Sequence, residues 1–219
     1  MFLQQRKINK LLDEIQKNSQ KAIRSNFAID TTEDNLNCYL ELTQLGYEKA
    51  YLEVADHAFL LIQKKNDKFY QLALEYSWLA YEKGYIHALI IRAETQIWGC
   101  HNFVERPLEE IIAEEHEIEK DLLFVLSKNM PIDYAVRARK ALLRLYGAKD
   151  LNENKYYQAY WRYMLYYEFK DVHQVPDVQR EAFEWLKEYN QYVNNNSLNI
   201  SSEMLYKWEN EPYPNFNNL

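Results

Sequence analysis

Glycine is scarce in this chain. There are four in 219 residues, at positions 46, 84, 99 and 147. All-β folds use glycine at tight turns and nucleotide-binding α/β folds use it at phosphate loops, because only glycine enters left-handed backbone without a steric cost. Four leave little for either. No segment alternates apolar and polar residues as a half-buried strand does. Apolar residues recur instead at helical spacing, as in Leu3, Ile8, Leu11, Leu12, Ile15, Ala22 and Ile23. The sequence predicts an all-α protein.

Helices are expected over 2–25, 32–45, 47–64, 67–83, 85–98, 107–127, 131–147, 152–170 and 176–193. A short one follows near 201–210, before an extended tail, Glu211–Leu219. Thr31 offers a hydroxyl cap, with Glu33 and Asp34 in the first turn behind it. Asn66-Asp67 offers another start. Pro107, Pro131 and Pro176 fall at first turns, where the missing N–H costs nothing. All four glycines fall at expected helix ends, where a left-handed cap is wanted.

Hydrophobic residues make up 47% of the chain, enough for a sizeable core and too many for a disordered chain. Two cysteines, Cys38 and Cys100, are too few for a disulfide framework and read as reduced thiols. No apolar run reaches the length of a membrane span, and the first residues turn polar at once, so no secretory leader is expected. These features predict a cytoplasmic protein. Its net charge of −7 argues against nucleic acid and favours a basic partner. Sign alternates along the chain: residues 1–30 carry six basic and three acidic side chains, 103–130 carry three and eight, 131–170 carry eight and four.

The segment from Gly46 to Asp56 repeats from Gly84 to Glu94. Gly46, Tyr47, Ala50 and Ala55 match Gly84, Tyr85, Ala88 and Ala93 at an offset of 38. Each block follows a helix, so the unit is a helical hairpin, and stacked hairpins make an α-solenoid. Weaker echoes lie at Ala138–Gly147 and in Ala159–Tyr167 with Ala182–Tyr189. The expected organisation is one domain: a capping helix over 1–30, stacked antiparallel hairpins over 31–193 that become irregular in the C-terminal half, and a short helix with its tail over 194–219.

Over about 36–99 the chain resembles the tetratricopeptide-type repeats, most closely the Sel-one-like variety. Ala73, Trp78, Ala80, Gly84 and Ala88 follow that family's spacing of alanine, tryptophan and glycine, with Trp78 one place late. The resemblance implies a scaffold that binds other proteins and carries no catalytic residues.

Few clusters suggest chemistry. Glu53, Asp56 and His57 share a helix face and are candidates for a metal, against the plainer reading of a solvated polar face. Cys100-His101 lacks an orienting third group. No phosphate loop or nucleophile elbow is present. No cofactor is expected. Two groups point to partner binding. Glu109, Glu110, Glu114, Glu115 and Glu117 belong to the largest block of one sign, beside Ile111, Ile112, Ile118, Leu122 and Leu123, which are expected to face the core. Tyr156, Tyr160, Tyr163 and Tyr167 form an aromatic stripe that is either an exposed interface or the buried face of an internal helix.

Together these features suggest a non-enzymatic protein-binding scaffold with a basic protein partner and no membrane. Its most specific form is a bacterial immunity protein sequestering a toxin or secreted effector, for example of a type VI secretion or contact-dependent system. The richness in Asn, Lys, Ile and Tyr, as in AT-rich bacterial genomes, motivates that form. The alternatives are a regulatory adaptor of a multiprotein assembly and a helical metal-carboxylate enzyme.

Overall fold

A computed structural model of the chain describes residues 2–64, 67–102, 108–147, 154–171 and 176–210. Every regular element among them is helical. The helices are α1 (Phe2–Arg24), α2 (Thr32–Gln44), α3 (Lys49–Gln63), α4 (Tyr70–Glu82), α5 (Ala88–Asn102), α6 (Leu108–Leu126), α7 (Ile132–Gly147), α8 (Asn154–Phe169), α9 (Pro176–Asn195) and α10 (Ser202–Asn210). A single 3₁₀ turn, Asp67–Phe69, precedes α4. The expected start at Asn66, Pro107 in its first turn and the tail Glu211–Leu219 lie outside the described residues. The chain divides into two compact units, 1–128 and 129–219.

In the first unit each helix packs on its neighbour in sequence, and α3 also packs on α5. The spacing of 38 seen in the sequence is a spacing of structure too. Helix α2 starts at 32 and ends at 44, and α4 starts at 70 and ends at 82. At the first corner Gly46 N–H donates to the Thr43 carbonyl at 2.9 Å and Tyr47 N–H to Leu42 at 3.0 Å. At the second, Gly84 N–H donates to Tyr81 at 2.9 Å and Tyr85 N–H to Ala80 at 3.1 Å. This is the paired-bond ending that satisfies the last carbonyls of a helix through one left-handed residue. Gly46 has φ 76° and Gly84 φ 91°. Small residues then bring the helices together: Ala50, Ala55, Ala58, Ala73, Ala80 and Ala88 are all fully buried.

Two of the four glycines depart from expectation. Gly99 does not end a helix: α5 runs through it to Asn102. A Cβ there would meet the Tyr70 ring at 2.4–2.6 Å, so only glycine leaves room for that side chain against α5. Gly147 does close α7, but only Gly46 and Gly84 among the described glycines have positive φ. The start of α2 also differs. Thr31 makes no side-chain cap hydrogen bond. Asp30 does the work one residue earlier, accepting from Thr32 N–H at 3.0 Å and from the Thr32 hydroxyl at 2.6 Å. Its other oxygen takes Lys64 at 2.6 Å, which ties the start of α2 to the end of α3.

The second unit packs α8 against α7 and α9, with α10 also on α8. Its core is aromatic. Trp161 is 2% exposed and Trp208 1%. Tyr146 stacks on Tyr157 with centroids 4.7 Å apart, and Phe169 meets Trp185 edge-on at 6.1 Å. The buried Arg139 guanidinium forks onto Glu168 through Nε and Nη2 and lies 5.4 Å from the Trp161 ring. A charge out of water needs such a bidentate partner.

Candidate functional site

Helix α6 closes the first unit and packs on α5. Glu115, Ile118, Leu122 and Val125 point inward, and a helix that buries this stripe turns positions 113, 116, 117, 120 and 124 outward. Glu110, Glu114, Glu117 and Asp121 line one edge of the outward face, spaced i, i+4, i+7 and i+11. Ile112 lies on the other edge, 42% exposed, and Phe124 near the middle, 38% exposed. The expectation that Ile112 faces the core is therefore corrected: it lies too far round the helix from Ile118 and Leu122 to follow them inward. Leu123 is half-buried.

The acidic residues divide. Glu110 and Glu117 are exposed, and Glu117 forms a solvated pair with Lys120 at 3.5 Å. Glu114 is half-buried and accepts a hydrogen bond from Gln96 of α5 at 3.1 Å. Glu115 is buried, so it leaves the candidate surface. The side chain of Glu109 lies outside the described residues. Asp121, not singled out from the sequence, joins the strip: burial pushes its carboxyl above the ordinary value, while the Arg92 guanidinium of α5 works in the opposite direction.

Arg92 connects the strip to α4. Its guanidinium lies 4.9 Å from the ring of Trp78, which is 42% exposed, and Trp78 donates through Nε1 to Glu82 at 3.1 Å. A tryptophan left this open beside a stacked arginine is the residue pair that dominates binding at many interfaces. The sequence marked Trp78 only as a repeat position. Its late placement was legible there, but the exposure of the ring was not.

The aromatic stripe is built differently. Tyr160 is 2% exposed and Tyr163 8%, while Tyr156 and Tyr167 are half-buried. Trp208 of α10 covers the stripe, 5.6 Å from the Tyr160 ring and 5.9 Å from Tyr163, and the Tyr163 hydroxyl donates to Glu209. Of the two readings open for this helix, burial is the one observed. Tyr160 and Tyr163 are core residues of the second unit.

Glu53, Asp56 and His57 do share a face of α3, but they do not converge. His57 Nδ1 lies 2.9 Å from the Glu53 carbonyl oxygen and 4.0 Å from its carboxylate, and the ring packs on Tyr39 at 5.0 Å. Burial raises the Glu53 carboxyl, with His57 opposing. Among the described residues no three His, Cys, Asp or Glu side chains are placed to hold a metal ion. Cys38 is a buried free thiol, and the side chains of Cys100 and His101 lie outside the described residues. Among the described residues no helix is long and apolar enough to cross a membrane. The chain matches no protein-family model, no curated protein and no solved structure.

Proposed function

We propose that the chain is a protein-binding module without catalytic activity, and that the outward face of α6, with Trp78 and Arg92 beside it, receives a basic partner. One observation carries this reading. Ile112 and Phe124 stay exposed on the same helix that lines up Glu110, Glu114, Glu117 and Asp121. Carboxylates alone suit a solvated surface, but apolar side chains across the same outward face suit a partner that supplies both packing and opposite charge. The likeness of residues 36–99 to interaction repeats supports the same reading. Its most specific form is an immunity protein that sequesters a basic toxin or effector, resting on acidic charge and analogy with helical-repeat proteins in that role.

The test is affinity capture of the tagged full chain from its native host, wild type beside a Glu110→Lys, Glu117→Lys, Phe124→Ser variant. A basic protein bound near one-to-one by the wild type and lost from the variant is the expected result. A partner that ignores the three changes overturns the α6 face. For the immunity form, co-expression should protect cells from the captured protein's toxicity, and no protection rejects that form alone.

A further inference from the structure

We propose that the end of α1 and the turn after it form a second docking surface, which takes an acidic amphipathic helix from a partner protein. This goes beyond the α6 reading and does not rest on it.

Helix α1 is half-packed. Ile8, Leu11 and Ile15 are buried against α2, but none of residues 16–24 is. The inward face of the helix nonetheless continues past Ile15 as Ser19, Ala22 and Ile23. There it borders an open groove of about 550 Å³, also lined by Phe27, Ile29 and Lys64. Ile23 is 63% exposed and Phe27 74%.

Phe27 is held in place by its backbone. Asn26 has φ 51° and Phe27 φ 61°, left-handed values that a bulky residue adopts only at a cost. The turn is fully bonded: Phe27 N–H donates to the Ala22 carbonyl at 2.7 Å, and the Ser25 hydroxyl accepts from Ile29 N–H at 3.1 Å. An aromatic ring fixed outside the core by a strained, well-tied turn is a pre-organised anchor.

Charge identifies the occupant. A second hollow, lined by Lys17, Lys21 and Arg24, shares Ile29 with the groove. Lys7 is committed to Glu41 and Lys64 to Asp30, but no ion pair among the described residues involves Lys17, Lys21 or Arg24. The groove has an apolar wall of Ala22, Ile23, Phe27 and Ile29, and its one carboxylate, Asp30, is paired with Lys64. Opening at Ile29 onto three uncommitted cations, it is complementary to a helix with apolar residues on one face and carboxylates beside them. A lipid surface presents its charge as a plane and does not enter a concave groove.

The probe is a labelled synthetic helix with leucine at i, i+3, i+4 and i+7 and glutamate elsewhere, titrated with the full chain by fluorescence anisotropy. A companion peptide replaces glutamate with lysine, and phosphatidylserine vesicles form a third arm. The glutamate peptide should bind, more weakly as salt rises. Phe27→Ser and, separately, Ile23→Ser should each weaken it about tenfold. Lys21→Glu with Arg24→Glu should weaken it and flatten the salt dependence. Both apolar changes lie on the surface, so unchanged circular dichroism will show that the fold is kept. Glu110→Lys and Glu117→Lys should leave this binding intact, which separates it from the α6 face. The proposal is overturned if the lysine peptide binds equally well, if neither Phe27→Ser nor Ile23→Ser weakens binding, or if vesicles bind and the peptide does not. It is also overturned if the glutamate peptide fails to bind, or if the chain instead self-associates through Phe27.

Discussion

Both units bury alanines, but they differ in what fills the space around them. In the first, aliphatic side chains such as Leu36, Leu42 and Ile62 pack beside the alanines, and Gly99 lets α5 pass against the Tyr70 ring. In the second, tryptophan and tyrosine fill the space between helices, and polar groups such as Arg139 and Glu168 lock the large rings. Small residues set a short distance and fix it by contact. Large ones set a longer distance and fix it by shape and hydrogen bonds. The first kind of packing is intolerant of added volume, the second of lost volume.

The largest effect follows from that asymmetry. Trp161→Ala should cost about 3–5 kcal/mol, by emptying a buried site and leaving Arg139 without its ring. Ala58→Leu in the first unit should cost about 1–3 kcal/mol by overpacking. Urea unfolding of each variant measures both. A neutral Ala58→Leu would mean that the first unit has room to spare.

The corners sharpen the contrast at smaller cost. Gly84 has φ 91° and nothing within 4 Å of a Cβ placed there, so Gly84→Ala pays only in backbone, roughly 1–2 kcal/mol. At the end of α9 the same job falls to Ser197, at φ 53°, with Leu198 N–H donating to the Val193 carbonyl at 3.0 Å. There Ser197→Gly should raise the melting temperature. If both substitutions lower stability, the two corners do not share one mechanism.

The smallest effect concerns ion pairs. Glu168 serves a buried arginine, whereas Asp30 and Lys64 are half open to water. The Lys64 ammonium and the two Thr32 donors hold the Asp30 carboxyl down to about 2, against an ordinary value of 3.8. The depressed group stabilises the fold fully above its unfolded value and loses that contribution as pH falls from about 4 to about 2. Asp30→Asn should therefore cost under about 1 kcal/mol at neutral pH, and only a small part of that at pH 2. Chemical unfolding at several pH values checks the convergence of the two curves.

Much of the helix order was legible, because Gly46, Gly84, Pro131 and Pro176 punctuate it and apolar period fills the spans between. Other features were not. A sequence does not distinguish a glycine needed for its left-handed backbone, as at 46, from one needed for its missing side chain, as at 99. Asp30 displaced Thr31 as the cap of α2 because Lys64, distant in sequence, holds its carboxylate in position. The tyrosine stripe could not be sorted into core or surface, since its cover, Trp208, arrives 41 residues after Tyr167, on a different helix. On α6 the acidic edge was visible from spacing, but the burial of Glu115 and the exposure of Ile112 depend on where α5 touches the helix.

The matched corners carry a consequence for how such a chain changes length. Residues 46 and 84 end their helices with the same bonds, and the residues after them share the first bonds of the next helix, Ala50 N–H to Tyr47 and Ala88 N–H to Tyr85, although α5 starts one residue later than α3. An in-frame duplication or deletion of residues 47–84 would thus rejoin like to like, with no new corner to invent. Growth or loss by whole hairpins is the genetic step that this backbone accepts most readily.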